Sequence, residues 1–162
     1  MSAGDSAPWP GHAAQMDATY ALQRHFYDLT RKYYLLGRDR LVADLNIPHG
    51  GSALELGCGT ARNLVLAARR YPDALLFGLD ISAEMLKTAT AKLAGSATGQ
   101  RISLARADAA RFDAFALFGK TRFDRIFCSY TLSMIPDWQD TLTLACQYLA
   151  PGGSLHLIDF GQ

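Results

Sequence analysis

The sequence predicts a doubly wound, Rossmann-like α/β domain with a mostly parallel sheet and an N-terminal helical extension. Three observations carry that expectation. After Gly51, short apolar runs alternate with helical segments. The first of these runs ends in paired glycines that open a helix. The chain has 162 residues, 49% hydrophobic and 19% charged, which suits one packed core rather than two domains. Strands separated by helices imply βαβ units, and right-handed crossovers build these into a parallel sheet with helices on both faces.

Residues 1–15 are rich in Ala, Gly, Ser and Pro, lack periodicity and read as a flexible leader. Residues 16–50 read as a helical lid or cap. Leu22, Phe26, Leu29, Tyr33 and Leu36 step by four and three and so share one face. Tyr20, Arg24, Tyr27, Arg31, Tyr34 and Arg38 alternate along the opposite face. Gly37 loosens this helix, and Leu41, Val42 and Leu45 extend its apolar face up to the turn Asn46-Ile47-Pro48-His49-Gly50-Gly51. In the core, 51–162, strands are expected over 52–56, 74–79, 101–106, 123–129 and 154–160. Helices are expected over 60–70, 82–93 and 138–149, the second with Ser82 as its N-cap. Leu149-Ala150-Pro151-Gly152-Gly153 breaks the last helix before the fifth strand begins.

Composition excludes several classes. Sixteen Lys and Arg against fifteen Asp and Glu leave a net charge of +1, so nothing advertises a nucleic-acid partner by bulk attraction. Cys58, Cys128 and Cys146 are odd in number and form no CxxC pair. They argue against a disulfide framework or a metal site and fit the reduced thiols of a cytoplasmic protein. No apolar run approaches the roughly 18 residues of a spanning helix, and no basic-then-apolar secretory segment opens the chain.

The sharpest signal is Leu54-Glu55-Leu56-Gly57-Cys58-Gly59-Thr60-Ala61. Glycines at such a strand-to-helix turn let the backbone reverse tightly and approach a ligand, with N–H groups of the helix start facing it. Asp80 ends the second strand, 23 residues after Gly57, where a carboxylate can accept both ribose hydroxyls. Asp108 follows the third strand, within reach of an exocyclic purine amine, and Glu55 sits at the mouth of the turn. Three acids there suit a positively charged ligand poor in phosphate and would repel a pyrophosphate. A dinucleotide fingerprint also requires a third glycine where this chain has Arg62, which disfavours an NAD-dependent dehydrogenase.

This Glu-x-Gly-x-Gly pattern, with Asp80 and Asp108, resembles the class I S-adenosylmethionine-dependent methyltransferases from about Asp17 to Gln162. Ala61 departs from it, since many members carry a third glycine there, and only a slight change of turn geometry is expected. The resemblance implies S-adenosyl-L-methionine as cofactor. Gly57, Cys58 and Gly59 would line its methionine part and Asp80 would hold the ribose. Ile81 and Met85 would pack near the adenine, with Asp108 and the Ala109 backbone bonding its edge. Glu55 would order the turn or meet the amino group through water. The segment Cys128-Ser129-Tyr130-Thr131-Leu132-Ser133-Met134-Ile135 fits the motif facing the sulfonium methyl, making Ser129 a cofactor contact and Tyr130 a catalytic candidate. Arg38 is assigned to the cofactor carboxylate, with the acceptor or solvent as its other partners.

A narrower resemblance lies in Tyr27-Asp28-Leu29-Thr30-Arg31-Lys32-Tyr33-Tyr34-Leu35-Leu36-Gly37-Arg38-Asp39-Arg40. This stretch is similar to bacterial diacylglyceryl-homoserine N-methyltransferases, the enzymes of betaine-lipid synthesis. It implies an amine acceptor on a small molecule or lipid headgroup, Tyr34 as a second catalytic candidate, and peripheral contact with a membrane. The alternatives are a soluble metabolite or quinone precursor as acceptor, or a non-catalytic cofactor-binding module.

Other residues read as structural: Tyr33 and His156 as core, His25 as helix surface, Cys58 as a small residue in a tight turn rather than a nucleophile. Asp159 remains a candidate for touching the acceptor. Members of this family usually carry a sixth and a seventh strand. The chain ends just after the fifth, which would leave Leu155, Leu157, Ile158 and Phe160 along an open edge. The expectation is a fragment, poorly stable alone, or an edge covered by another chain.

Overall fold

The computed structural model describes residues 37–160, within the second of two compact units, Met1–Leu36 and Gly37–Gln162. The leader, the tyrosine/arginine stripe up to Tyr34 and the apolar stripe up to Leu36 lie outside the described residues. In chain order the described elements are α1 (Arg38–Asp44), β1 (Ser52–Leu56), α2 (Arg62–Arg70), β2 (Leu75–Asp80) and α3 (Ala83–Leu93). A 3-10 turn (Gly99–Arg101), β3 (Ile102–Arg106), α4 (Ala114–Phe118) and β4 (Phe123–Ser129) follow. A second 3-10 turn (Leu132–Met134), α5 (Trp138–Gln147) and β5 (Leu149–Ile158) complete them.

All five strands pair in parallel, in the order β3-β2-β1-β4-β5. Every residue of β1 is buried, as expected of a central parallel strand covered on both faces. Alternation sends its side chains to opposite cores. Ala53 joins Leu64, Ala67, Leu86 and Phe127 on the side of α1, α2 and α3. Leu54 and Leu56 join Phe77, Phe123, Ile126 and Ala145 on the side of α4 and α5. This is the doubly wound arrangement the alternating pattern predicts.

Helix starts follow local chemistry. Ser82 caps α3 by accepting from the Met85 N–H at 3.3 Å, and Asp113 caps α4 by accepting from Phe115 and Ala116. Gly37 adopts φ +91° immediately before α1, which begins at Arg38. Leu41, Val42 and Leu45 of this segment are buried in the core shared with α2.

The fifth strand departs from expectation. Pairing with β4 begins at Phe123↔Leu149, upstream of the Pro151-Gly152-Gly153 break, and resumes at Arg125↔Ser154. β4 advances two residues while β5 advances five, so the Pro-Gly-Gly segment bulges out of the ladder instead of ending it. Gly152 takes φ +75°, as such a bulge requires. Leu157 is 44% exposed on this outer strand, whereas Leu155 and Ile158 pack against the two cores.

Two further features brace the end of the sheet opposite the strand C-termini. Arg101 donates to the carbonyls of Ala68, Tyr71 and Ala74, and Asp124 accepts from the N–H and hydroxyl of Ser52. Gly78 supplies the close helix–strand approach that a dinucleotide fingerprint assigns to a third glycine. A Cβ there would lie 2.6 Å from Leu64 Cδ1 and 2.9 Å from both Cβ and Sγ of Cys58. Gly78→Ala is therefore expected to cost about 1–3 kcal/mol by overpacking, read as a lower midpoint in urea denaturation with an unchanged slope.

Candidate active site

Strand order reverses between β1 and β4, and in open α/β sheets ligands bind at such a switch point, beyond the strand C-termini. The glycine turn after β1 and the loop after β4 meet there. Gly57 and Cys58 both donate to Leu79 O at 2.9 Å, and Gly59 N donates to Asp80 Oδ2 at 2.8 Å. The end of β2 thus holds the reversal in shape. Gly57 and Gly59 take φ +71° and +53°. A Cβ on Gly57 would strike Thr131 Cγ2 at 2.2 Å, so the β4 loop rests directly on the turn. Thr131 Oγ1 donates toward Gly57 O at 3.3 Å and Ser129 O at 3.1 Å.

Ala61 adopts the left-handed conformation itself, at φ +62°, and is fully buried. This is a conformation that glycine adopts freely and alanine seldom does. A left-handed alanine carries about 1–2 kcal/mol of backbone strain. Ala61→Gly should thus preserve or slightly raise the thermal midpoint, whereas Ala61→Val, β-branched at positive φ, should lower it by several degrees.

Asp80 is 7% exposed, with Oδ2 accepting from Gly59 and Oδ1 from Ser82 N. Burial raises its pKa while these backbone donors oppose the rise. Asp108 Oδ1 accepts from Ala110 N, and its Oδ2 lies 3.7 Å from the Arg111 guanidinium, which also reaches Asp137 at 2.7 Å. Ile81 is 58% exposed, Met85 half-buried and Ala109 buried. Burial pushes the Cys58 and Cys128 thiols up, Cys128 to about 12, so neither is a thiolate at neutral pH.

Glu55 is 1% exposed. Its Oε1 accepts from Asn63 Nδ2 at 2.7 Å, tying the end of β1 to α2. Burial raises its pKa to about 8, against the lowering effects of Asn63 and Arg38. Glu55 is therefore mostly protonated at neutral pH, so the three acids expected around the crevice do not contribute three equal negative charges. Three buried side-chain atoms have no hydrogen-bond partner among the described residues: Glu55 Oε2, Ser129 Oγ and Arg38 Nε. Buried polar atoms are rarely orphaned without a reason, and an acid, a hydroxyl and a guanidinium complement the ammonium and carboxylate of an amino acid.

Tyr130 takes φ +55° directly after β4, its N–H donating to Ile158 O at 2.7 Å. Its ring lies 4.8 Å from that of Phe160, and the Arg38 guanidinium sits 5.6 Å over it. Asp159, considered in the sequence as an acceptor contact, uses its carboxylate otherwise: it accepts from Ser133 N, Ser133 Oγ and Phe160 N. His156 is half-buried, bonded to Ser154 Oγ at 2.8 Å, with its pKa lowered by burial and Arg125. Asn63, Thr131 and Ser133 were not singled out from sequence.

Residues 53–153 match the methyltransferase domain family. The chain belongs to this family. S-adenosylmethionine binding is typical of it. The trans-aconitate 2-methyltransferase of Methylobacterium radiotolerans is 37% identical over 103 residues, covering 64% of this chain and 35% of that protein. The ubiquinone/menaquinone biosynthesis C-methyltransferase of Desulfotalea psychrophila is 30% identical over 138 residues, 82% of this chain and 53% of that protein. This methyltransferase-family chain thus spans between about a third and a half of these relatives. An S-adenosylmethionine-dependent methyltransferase of Geobacter sulfurreducens, solved with S-adenosyl-L-homocysteine, shares the fold at TM-score 0.62 and 20% identity, covering 76% of this chain and 47% of that one. These relatives are not betaine-lipid enzymes, and residues 27–36 of the narrower resemblance, Tyr34 included, lie outside the described residues. Among the described residues no helix is long and apolar enough to cross a membrane, and no group of acid, His and Cys side chains could hold a metal ion.

Glu55 also leaves a stability signature. A carboxyl whose pKa is higher folded than unfolded binds extra protons in the native state. Its contribution is then fully present below the unfolded pKa and lost as pH rises toward 8. Stability should fall between about pH 5 and 8, at no more than about 1.4 kcal/mol per pH unit from this group. Glu55→Gln should flatten the profile, leaving what Asp80, whose pKa is also raised by burial, contributes, as measured by urea denaturation across that range.

Proposed function

We propose that the protein is an S-adenosylmethionine-dependent methyltransferase acting on a small soluble acceptor that presents an acidic oxygen or an activated carbon, rather than a lipid amine. The convergence of the orphaned Glu55, Ser129 and Arg38 atoms beside the glycine turn carries the cofactor half of this reading. When bound, S-adenosylmethionine supplies an electrophilic methyl on a cationic sulfur. Arg38 would bind the carboxylate of its methionine end, and Glu55, giving up its proton, the ammonium. Asp80, whose two oxygens accept from Gly59 N and Ser82 N, would use its remaining lone pairs on the ribose. The exposed Ile81 and half-buried Met85 offer apolar contact for the adenine, whose edge would meet Asp108 and the Ala109 backbone. Gly57, Cys58 and Gly59 would let the main chain approach it, and Ser129 and Tyr130 would border its methyl. With the acceptor in line, positioning and exclusion of water supply most of the acceleration.

The acceptor half rests on Arg38 and Tyr130. A guanidinium over the Tyr130 ring already uses that aromatic face for a cation and places positive charge beside it. That face of Tyr130 is taken by Arg38 and cannot also hold a quaternising amine, a demand that a carboxylate or quinol acceptor does not make. Trans-aconitate and quinone precursors, the acceptors named for the relatives, fit that description. The amine of a betaine-lipid precursor is the opposing reading, supported by the likeness of residues 27–40.

Calorimetric titration should show S-adenosyl-L-homocysteine binding and no response to NADH; the reverse would overturn the cofactor assignment. Transfer of a labelled methyl group should favour trans-aconitate or a quinol over diacylglyceryl-homoserine in vesicles. Preference for the lipid would restore the amine reading.

A further inference from the structure

We propose that Asp159 is a positioning residue, whose carboxylate clamps Ser133 so that the loop after β4 stays seated on the glycine turn and the cofactor's amino-acid end is held. This rests on the cofactor reading above and adds to it a residue that touches neither cofactor nor acceptor. Asp159 follows the end of β5, and its two oxygens accept from both donors of Ser133, Oδ2 from the N–H and Oδ1 from the hydroxyl, each at 2.8 Å. A third bond, from Phe160 N to Oδ1 at 2.8 Å, fixes the carboxylate's own rotamer. Charged acceptors make such bonds stronger than neutral ones, and a two-point grip fixes direction as well as distance.

Ser133 lies in the 3-10 turn Leu132–Met134, which closes back on the loop through Met134 N to Thr131 O at 3.0 Å. Thr131 in turn occupies the space beside Gly57 that a side chain would need and donates toward Gly57 O. A continuous chain of contacts thus runs from Asp159 through Ser133 and Thr131 to Gly57. The same loop contains Tyr130 at φ +55°, a conformation costing a bulky residue of order 1–3 kcal/mol, which persists only where surrounding contacts over-determine it. The Tyr130 N–H bond to Ile158 O holds the loop on one side of that residue and the Asp159 clamp holds it on the other. This strained residue directly follows Ser129, whose buried hydroxyl has no partner among the described residues, and its ring lies under the guanidinium of Arg38, whose buried Nε has none either.

The test is calorimetric affinity for S-adenosyl-L-homocysteine in the full chain, with thermal midpoints measured in parallel, at a temperature where every variant is folded. Asp159→Ala is expected to weaken binding about tenfold. Ser133→Ala, which keeps the backbone donor, should weaken it severalfold, and the double variant no more than Asp159→Ala alone. Asp159→Asn should recover part of the loss, because its amide can accept from the Ser133 N–H and donate to the Ser133 hydroxyl, although its NH2 then faces the Phe160 N–H and that third bond is lost. Equal affinity in wild type and Asp159→Ala would overturn this inference while leaving the cofactor reading intact. So would losses that add in the double variant, or losses that track the thermal midpoint and are not rescued by Asn. Failure of the wild type itself to bind would overturn the cofactor reading, and this inference with it.

Discussion

The constraint on which the rest of the site depends is the need to satisfy the N–H groups of a tight reversal buried at the centre of a sheet. Gly57 and Cys58 share one acceptor, the Leu79 carbonyl, and Gly59 uses the Asp80 carboxylate. Unpaired, each donor would cost about 1–3 kcal/mol, so the turn keeps its shape only while the end of β2 stands beside it. That standing is possible because Gly78 lets α2 and Cys58 close onto β2. The start of α2, the reach of Asn63 to Glu55 and the seat for Thr131 all inherit their positions from this one reversal.

Electrostatically the crevice is more restrained than three acids suggest. Burial keeps Glu55 mainly protonated, the Arg111 guanidinium lies beside Asp108, and Arg38 contributes a positive charge set over an aromatic ring. Asp80 and Arg38 add opposed charges near the reversal, and the β4 loop covers the turn at Thr131. A zwitterion answers this arrangement better than an anion does, since it supplies a partner of each sign.

Most of the fold was legible because its signals are local. Apolar runs bounded by turn residues marked the strands to within a residue or two, with β4 at 123–129 as expected and Ser82 capping α3. The fifth strand was misjudged at its start because Pro151-Gly152-Gly153 is punctuation in sequence, yet a bulge can absorb it without ending the ladder. The short α4 was missed since five residues hold too little periodicity to register. In the site, the glycines and the acids at strand ends were visible by position. Asn63, Thr131 and Ser133 were not, because their roles come from contacts across 8, 74 and 26 residues of chain that no local pattern encodes. The orphaned atoms of Glu55 and Ser129 likewise emerged only once burial was known.

Arg101 shows how unevenly rigidity is distributed. One planar guanidinium closes the last turn of α2 and the hairpin-like approach to β2 by gripping three carbonyls that would otherwise face solvent or lie bare. A point charge on a rotating stem could not serve all three at once. The anchorage lies at the far pole of the molecule from the crevice, so the sheet is fastened like a hand at the wrist.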